Sequence, residues 1–411
     1  MKLLATLFLL GAAACGGGDG TATADGPTDA VVPFTIDVPE EVLDDLHARL
    51  ADARFPDQLE GAGWTYGSDL DYMRGLVDYW RDEYDWRAQE RALNRFDHFK
   101  TNIDGLDVHF IHQRSPNPDA IPLMVLHGWP GSFVEFHKII EPLVDPAGHG
   151  GDPADAFHLV IPSIPGVGFS ARPGEACYGR LQMAEIFAKL MARLGYERYG
   201  LQGGDYGSMI SRIMGGIDAE HVVGIHLNLC SVPPPPGVED PLAGVPPEEI
   251  ELMRDRQAFW TDEERGYSAI QSTKPQTIGY VLNDSPVGQA AWIIEKFRAL
   301  SDVNGDVESK FTKDELLTNV MIYWVTGTAT SSARIYYEVT HGPNPLSGGA
   351  GDAPLACAAF PKEISFPPRL WLEAAYNLTQ RTVMPRGGHF AAMEEPELLL
   401  EDVRTFYRTI R

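Results

Sequence analysis

The segment Gly203-Gly204-Asp205-Tyr206-Gly207 sets an acidic residue between glycines two positions away on either side. A strand-like run, Tyr199 to Gln202, precedes it, and a helical pattern, Ser208 to Ile217, follows. This is the form of the tight strand-to-helix turn that exposes a nucleophile, with Asp where Ser is usual. No G-x-S-x-G occurs in the chain. The exchange changes the chemistry. A Ser needs a base to attack, whereas an Asp is already ionised at neutral pH and can attack an sp3 carbon directly. The product is an ester whose carbonyl belongs to the protein, and water must then attack that carbonyl with help from a general base. An acidic residue in a Gly-rich turn also occurs without catalysis, so partners are needed. Gly387-Gly388-His389-Phe390 offers the base: two glycines set His389 in a tight turn between a strand and the last helix. The acid that orients it should lie between the two at another strand end. Glu363, just after the apolar run 355–360, fits best, with Glu373, Glu394 and Glu395 as alternatives. His127-Gly128-Trp129-Pro130-Gly131 ends a strand at which such a fold supplies half of an oxyanion hole. That points to the backbone N–H groups of Trp129 and Tyr206. His127 itself reads as a structural hydrogen-bonding residue.

The elements that must hold these residues are short apolar runs alternating with helical patterns. Strands are expected at Val108 to Ile111, Pro122 to Leu126, Leu159 to Ile164, Tyr199 to Gln202 and Val222 to Leu229. Helices are expected at Phe133 to Leu143, Ala184 to Leu194 and Ser208 to Ile217. Such alternation means an α/β protein with a mostly parallel sheet and helices on both faces. At Pro233-Pro234-Pro235-Pro236 the alternation stops, and helical patterns run to about residue 340 before strands resume at Leu355 to Phe360 and Thr382 to Met384. A helical insertion there is a lid by position, beyond the carboxyl ends of the strands. The divisions expected are 1–14 leader, 15–31 tether, 32–106 N-terminal segment rich in helix and aromatics, 107–232 first part of the core, 233–341 lid and 342–411 second part of the core.

The chain has 411 residues and a formal charge of −25, which argues against nucleic acid as a partner. Met1-Lys2, the apolar run Leu3 to Leu10 and the small residues to Ala14 read as an export signal. Cys15 follows directly, as in bacterial lipoproteins, where that Cys becomes the lipidated N-terminus; Ala12 stands where Leu is usual, and an ordinary secretory signal is the alternative. The expected location is the cell envelope, with a membrane touched only through the lipid on Cys15. Lipidation would leave Cys177, Cys230 and Cys357, an odd number, so no disulfide framework is expected.

Taken together, these blocks resemble the microsomal-type epoxide hydrolases of the α/β-hydrolase fold, from Val32 to Arg411. The resemblance is carried by Asp85-Trp86-Arg87-Ala88-Gln89-Glu90, His127-Gly128-Trp129-Pro130-Gly131-Ser132, Gly203-Gly204-Asp205-Tyr206-Gly207-Ser208, Leu282-Asn283-Asp284-Ser285-Pro286-Val287-Gly288 and Pro385-Arg386-Gly387-Gly388-His389-Phe390-Ala391-Ala392. It implies Asp205 as nucleophile, His389 as base and Glu363 as its orienting acid. It also implies two lid tyrosines, Tyr267 and Tyr336, that activate the ring oxygen of an epoxide; on pattern alone Tyr337 competes with Tyr336. The implied partners are a small-molecule epoxide and water, with no metal or organic cofactor. The family usually has Trp where Tyr206 stands, which bears on the pocket wall. The rival readings are a dehalogenase, with lid Trp260, Trp292 and Trp324 as halide donors, and a non-catalytic binding lipoprotein. Gly166-Val167-Gly168-Phe169-Ser170-Ala171 mimics a dinucleotide fingerprint, but Arg172-Pro173 follows where a helix should open. His221 and His226, five apart, do not fit a helical metal pair.

Overall fold

The computed structural model describes residues 29–342 and 349–411, so the leader, Cys15 and nearly all of the tether lie outside the described residues. Nine strands form one sheet: β1 (Val32–Phe34), β2 (His98–Ile103), β3 (Leu106–Gln113), β4 (Ile121–Leu126), β5 (Phe157–Pro162), β6 (Tyr199–Gly203), β7 (Val222–Leu227), β8 (Leu355–Ala359) and β9 (Leu378–Val383). Their order is β1-β2-β3-β5-β4-β6-β7-β8-β9. The pairs from β1 to β5 are antiparallel and those from β5 through β9 are parallel. The central parallel strands are apolar along their length because helices cover both faces; Leu123, Met124, Val125, Leu126, Leu201 and Ile225 have no exposed surface. Helices Arg180–Arg193 and Asp205–Ile217 pack together, and the last helix, Pro396–Arg408, sends the Tyr407 hydroxyl to the carbonyls of Leu201 and Gly224 at 2.8 and 3.0 Å.

Three expectations need correction. The N-terminal segment is not only helical: β1 and β2 extend the core sheet as its antiparallel edge, with Val32 opposite Lys100. Pro33 tolerates this because an edge strand leaves one row of amides unpaired. The helix expected over 133–143 is two short pieces, a 3-10 turn at Phe133–Phe136 and a helix at Ile140–Val144. The cysteine reading also fails, because Cys230 and Cys357 form a disulfide with their Cα atoms 6.1 Å apart. The bond is possible because β7 and β8 are neighbours, with Leu227 opposite Cys357. A separation of 127 residues along the chain hides that adjacency.

The lid runs from Pro247 to His341 as helices Pro247–Ala258, Gly266–Thr273, Pro275–Asp284, Pro286–Leu300, Lys313–Thr326 and Ala329–His341, with a π-helical turn at Phe259–Glu264. Start signals in the sequence set several of these. Ser285 caps Pro286–Leu300 by accepting from the Gly288 N–H at 2.9 Å, and Thr312 with Glu315 forms a capping box at Lys313–Thr326. The N-terminal segment braces the lid from outside: the Tyr84 hydroxyl meets Thr318 Oγ1 at 3.0 Å, and the Tyr79 hydroxyl donates to Asp314 at 2.8 Å. Among the described residues no helix is long and apolar enough to cross a membrane.

Closing a loop of this length by a disulfide stabilises by at most about 5 kcal/mol on a chain-entropy estimate. Cys230 and Cys357 should therefore take up an alkylating label in denaturant only after reduction, and the double Ser variant should unfold at a lower temperature; labelling without reductant would refute the bond.

Candidate active site

The turn between β6 and helix Asp205–Ile217 holds Asp205 at φ +44°, a conformation unusual for a residue with a side chain. The glycines around it are dictated by space. A methyl group at Gly207 would overlap the Leu126 carbonyl of β4, and one at Gly128 would overlap Asp205 Oδ1. The second overlap lets the loop after β4 wrap the carboxylate. Asp205 Oδ1 accepts from the Trp129 N–H at 2.9 Å, and the Tyr206 N–H also hydrogen-bonds the carboxylate. Oδ2 faces His389, with Nε2 at 3.7 Å. Asp205 keeps 13% of its side-chain surface open, enough for approach from one side.

His389 lies in the loop after β9. Its backbone N–H donates to the Leu300 carbonyl at 2.9 Å, and the neighbouring Phe390 ring stacks on Phe297 at 3.9 Å. Helix Pro286–Leu300 of the lid thus fixes the loop. His389 Nδ1 meets Glu363 Oε1 at 2.7 Å. Glu363 is 1% exposed and follows β8 directly. The other carboxylates considered are engaged elsewhere: Glu373 with Arg369, Glu395 with Lys310 and Arg386, and Glu394 with the N–H groups of Asp302 and Phe390. Only Glu363 among the four bonds His389.

The electrostatics follow from burial. Desolvation pushes the Asp205 carboxyl upward, against His389 and the two N–H donors. Desolvation also disfavours the His389 imidazolium, but Glu363, Asp205 and Glu135 outweigh it and hold the ring up to about 10. His127 is buried and accepts from the Ile164 N–H at 3.2 Å; burial lowers it to about 4, so it is a neutral structural ring.

The lid lowers two phenols onto this site. Tyr267 is 6% exposed and Tyr336 7%, whereas Tyr337 is turned outward. The Trp129 ring stacks on Tyr267 at 4.9 Å and meets Tyr336 edge-on at 5.7 Å. Tyr206 meets Tyr336 edge-on at 5.1 Å, which sets the extra phenol of Tyr206 against the lid phenol. Burial, with Asp205 nearby, raises all three phenols, so they stay protonated donors. A buried ion pair in the lid, Lys296 with Glu264, sets the Lys296 ammonium 5.0 Å from the centre of the Tyr267 ring. Helix Lys313–Thr326 fastens the other side of the site: Asn319 Nδ2 donates to the Pro130 carbonyl at 2.8 Å and the Tyr323 hydroxyl to the Gly131 carbonyl at 2.5 Å.

One residue of the site escaped the sequence reading. Glu135 fills the space that a side chain at Gly131 would take, and its carboxyl feels His389, Asp205 and Glu363. Burial lifts it to about 8, so it is neutral at pH 7. A Glu in Phe133-Val134-Glu135-Phe136 looks like the solvent side of a helix, and no spacing marks it.

A sharp strand-to-helix turn carrying Asp205 under a helical lid, with an imidazole and a second carboxylate in line, defines an α/β-hydrolase fold. Comparison with known proteins narrows the class. Residues 31–136 match the family described as epoxide hydrolase N terminus and residues 121–264 the alpha/beta hydrolase fold. The chain is 42% identical to epoxide hydrolase 1 of Sus scrofa over 95% of its own length and 91% of that protein's. It is 43% identical to juvenile hormone epoxide hydrolase 2 of Ctenocephalides felis over 90% of its own length and 84% of that protein's. The crystal structure of juvenile hormone epoxide hydrolase from Bombyx mori superposes with a TM-score of 0.86 at 32% identity, covering 94% of this chain and 96% of that one. The chain belongs to the epoxide hydrolase family, and its reaction is the hydrolysis of an epoxide to a vicinal diol.

Two outcomes are expected from this geometry. Gly128→Ala should fold but lose at least ~100-fold in kcat, because the methyl displaces the Asp205 oxygen from its N–H donors; near wild-type turnover would refute the close approach. Above pH 8 an ionised Glu135 adds a carboxylate beside His389 and holds its proton more tightly. Glu135→Gln should therefore raise the ratio of kcat at pH 9 to kcat at pH 7 above the wild-type ratio; an unchanged ratio would separate Glu135 from His389 electrostatically.

Proposed function

We propose that Asp205 is the nucleophile, His389 the base, Glu363 its orienting acid, Tyr267 and Tyr336 the donors to the ring oxygen, and the N–H groups of Trp129 and Tyr206 the oxyanion hole. The observation that carries this reading is the division of labour between the two Asp205 oxygens. Oδ1 is held by the Trp129 N–H at 2.9 Å, while Oδ2 faces His389 Nε2 at 3.7 Å, beyond hydrogen-bond distance. Oδ2 attacks one epoxide carbon, the carbon–oxygen bond breaks, and the ring oxygen takes a proton from the lid phenols. Oδ1 is then already the ester carbonyl oxygen, lying where an oxyanion would develop. Alkylation removes the Asp205 charge, and with it one of the two anions, Asp205 and Glu363, that hold the His389 proton at pH 7. His389 then gives its proton up to the phenolate left by ring opening, the neutral imidazole takes a proton from water, and the hydroxide attacks the Asp205 carbonyl; the tetrahedral intermediate collapses with its hydroxyl proton passing to the leaving alkoxide, which releases the diol and restores the Asp205 carboxylate beside the imidazolium.

The same reading includes export. Met1-Lys2, the apolar run to Leu10, the small residues and Cys15 support a lipid anchor in a bacterial cell envelope. The Cys230–Cys357 disulfide supports an oxidising compartment.

His389→Gln should form the ester and fail to hydrolyse it. Its intact mass after exposure to styrene oxide should rise by one whole epoxide, and peptide mapping should place the adduct on Asp205; a folded variant without an adduct would overturn the nucleophile assignment. In the wild type, a protonated His389 cannot act as base, so the ester should live longer as pH falls, read as a larger pre-steady-state burst at pH 5 than at pH 8. Cys15→Ser should move the protein from the membrane fraction to the soluble fraction; an unchanged distribution would exclude the anchor.

A further inference from the structure

Two cationic residues are buried among the described residues, Arg180 and Lys296. Arg180, the first residue of helix Arg180–Arg193, has Met209 Sδ as its partner at 3.2 Å. Lys296 instead stands over a ring that the reaction engages, with its ammonium 5.0 Å from the centre of the Tyr267 phenol. Two lid elements bring the pair together. Lys296 lies on helix Pro286–Leu300, one turn before the Leu300 carbonyl that holds the His389 loop. Glu264 ends the π-helical turn, three residues before Tyr267, and its carboxylate bonds the Lys296 ammonium. Glu295 Oε2 lies 2.7 Å from the same nitrogen. The two carboxylates offset the cost of burying the ammonium.

A cation in this place matters because of what a lid phenol must do. The phenol that protonates the ring oxygen becomes a phenolate until His389 returns a proton. Burial, Asp205, Glu264 and Glu363 all oppose a negative charge on Tyr267. The Lys296 ammonium favours one, in a desolvated setting where charges act strongly. Trp129 stacks on the Tyr267 ring at 4.9 Å and Trp260 meets it edge-on at 6.0 Å, which packs the ring in place beneath the ammonium. Tyr336 is placed differently. Its ring meets those of Trp129, Tyr206 and Tyr267 edge-on at 5.7, 5.1 and 5.8 Å. Among the described residues no lysine or arginine stands over it. Two phenols with the same chemistry thus sit in unlike fields.

We propose that Lys296 is a positioning residue acting through Tyr267: its ammonium stabilises the phenolate, so Tyr267 gives up the proton while Tyr336 donates a hydrogen bond and keeps its own. The proposal rests on the cycle above and divides the labour of its two phenols. The step balances. The bond from Asp205 Oδ2 to carbon forms as the carbon–oxygen bond of the ring breaks, and the Tyr267 proton passes to the ring oxygen. The charge that leaves Asp205 therefore reappears on Tyr267, next to Lys296, until the His389 proton cancels it.

The test follows the Asp205 ester by rapid-quench mass spectrometry with styrene oxide, which separates alkylation from ester hydrolysis. Lys296→Met should slow alkylation by about 30-fold. It should leave ester hydrolysis no slower than in wild type, because a less stable phenolate takes the His389 proton more readily. Lys296→Arg should recover most of the alkylation rate. In a Tyr267→Phe background Lys296→Met should change alkylation by less than about threefold, whereas in Tyr336→Phe the full loss should persist. Lys296→Met strands the Glu264 carboxylate, so the double variant of Glu264→Gln with Lys296→Met supplies a neutral pair. It too should alkylate at least ~10-fold more slowly than wild type. A neutral pair that alkylates at the wild-type rate would overturn the proposal, since the stranded carboxylate would then explain the single variant. So would equal slowing of both steps, the signature of a structural role, or an equal loss in the two phenylalanine backgrounds. Absence of any Asp205 ester in His389→Gln would instead sink the catalytic reading, and the proposal with it.

Discussion

A single imidazole, His389, stands among three buried carboxyl groups, and the site is built around that imbalance. Glu363 is bonded to it at 2.7 Å, Asp205 faces it at 3.7 Å, and Glu135 completes the ring of acids. Three anions cannot share one cation in a desolvated pocket. The structure resolves this in three ways: His389 keeps its proton against burial, Asp205 borrows two backbone N–H donors, and Glu135 stays neutral. Each solution requires particular chain geometry. The N–H donors need the β4 loop close enough to exclude any side chain at Gly128. The neutral Glu135 needs room over Gly131, which the lid helix bonds of Asn319 and Tyr323 hold open.

In the proposed cycle that electrostatic arrangement also orders the chemistry in time. Before alkylation the site stores an Asp205 carboxylate beside an imidazolium, which suits attack and prevents His389 from acting early. Afterwards the charge that held the proton is gone. One group thus changes from counter-ion to base without moving, and the burial that makes the pair costly makes the change in proton affinity large.

Much of this was legible in the sequence where steric necessity leaves a mark. Asp205 and His389 stand beside glycines that the turns require, and the apolar runs of β4 to β8 are long enough to read as buried strands. Glu363 was legible only as one of four carboxylates, because a strand end fixes a position but not which side chain turns inward. Tyr267 and Tyr336 came from the resemblance, since an aromatic on a lid helix looks like packing. β1 and β2 were missed because β1 is three residues long and β2 carries mixed polar and apolar residues without alternation. Glu135 and Arg180 left no local trace. Their burial is decided by residues far away in sequence, the lid helices for one and Met209 for the other. The disulfide was lost to a parity argument that treated cysteines as a count, whereas strand order decides which ones meet.

The residues that escaped reading share a physical character. Each is an ionisable group buried where propensity and pattern would put a solvent-facing one, and each lies next to a residue that the chemistry engages. Glu135 lies in the field of Asp205, His389 and Glu363, and Arg180 bonds Met209 on the helix that begins with Asp205. Folding does not favour such burial, so it persists where the bound state repays it. For Glu135 the repayment is a carboxyl kept neutral near two working acids. For Arg180 no carboxylate among the described residues offsets the cost; Met209 Sδ is its hydrogen-bond partner there. The turn that holds Asp205 thus also carries, one helical turn on, the Met209 sulfur that is the hydrogen-bond partner of Arg180.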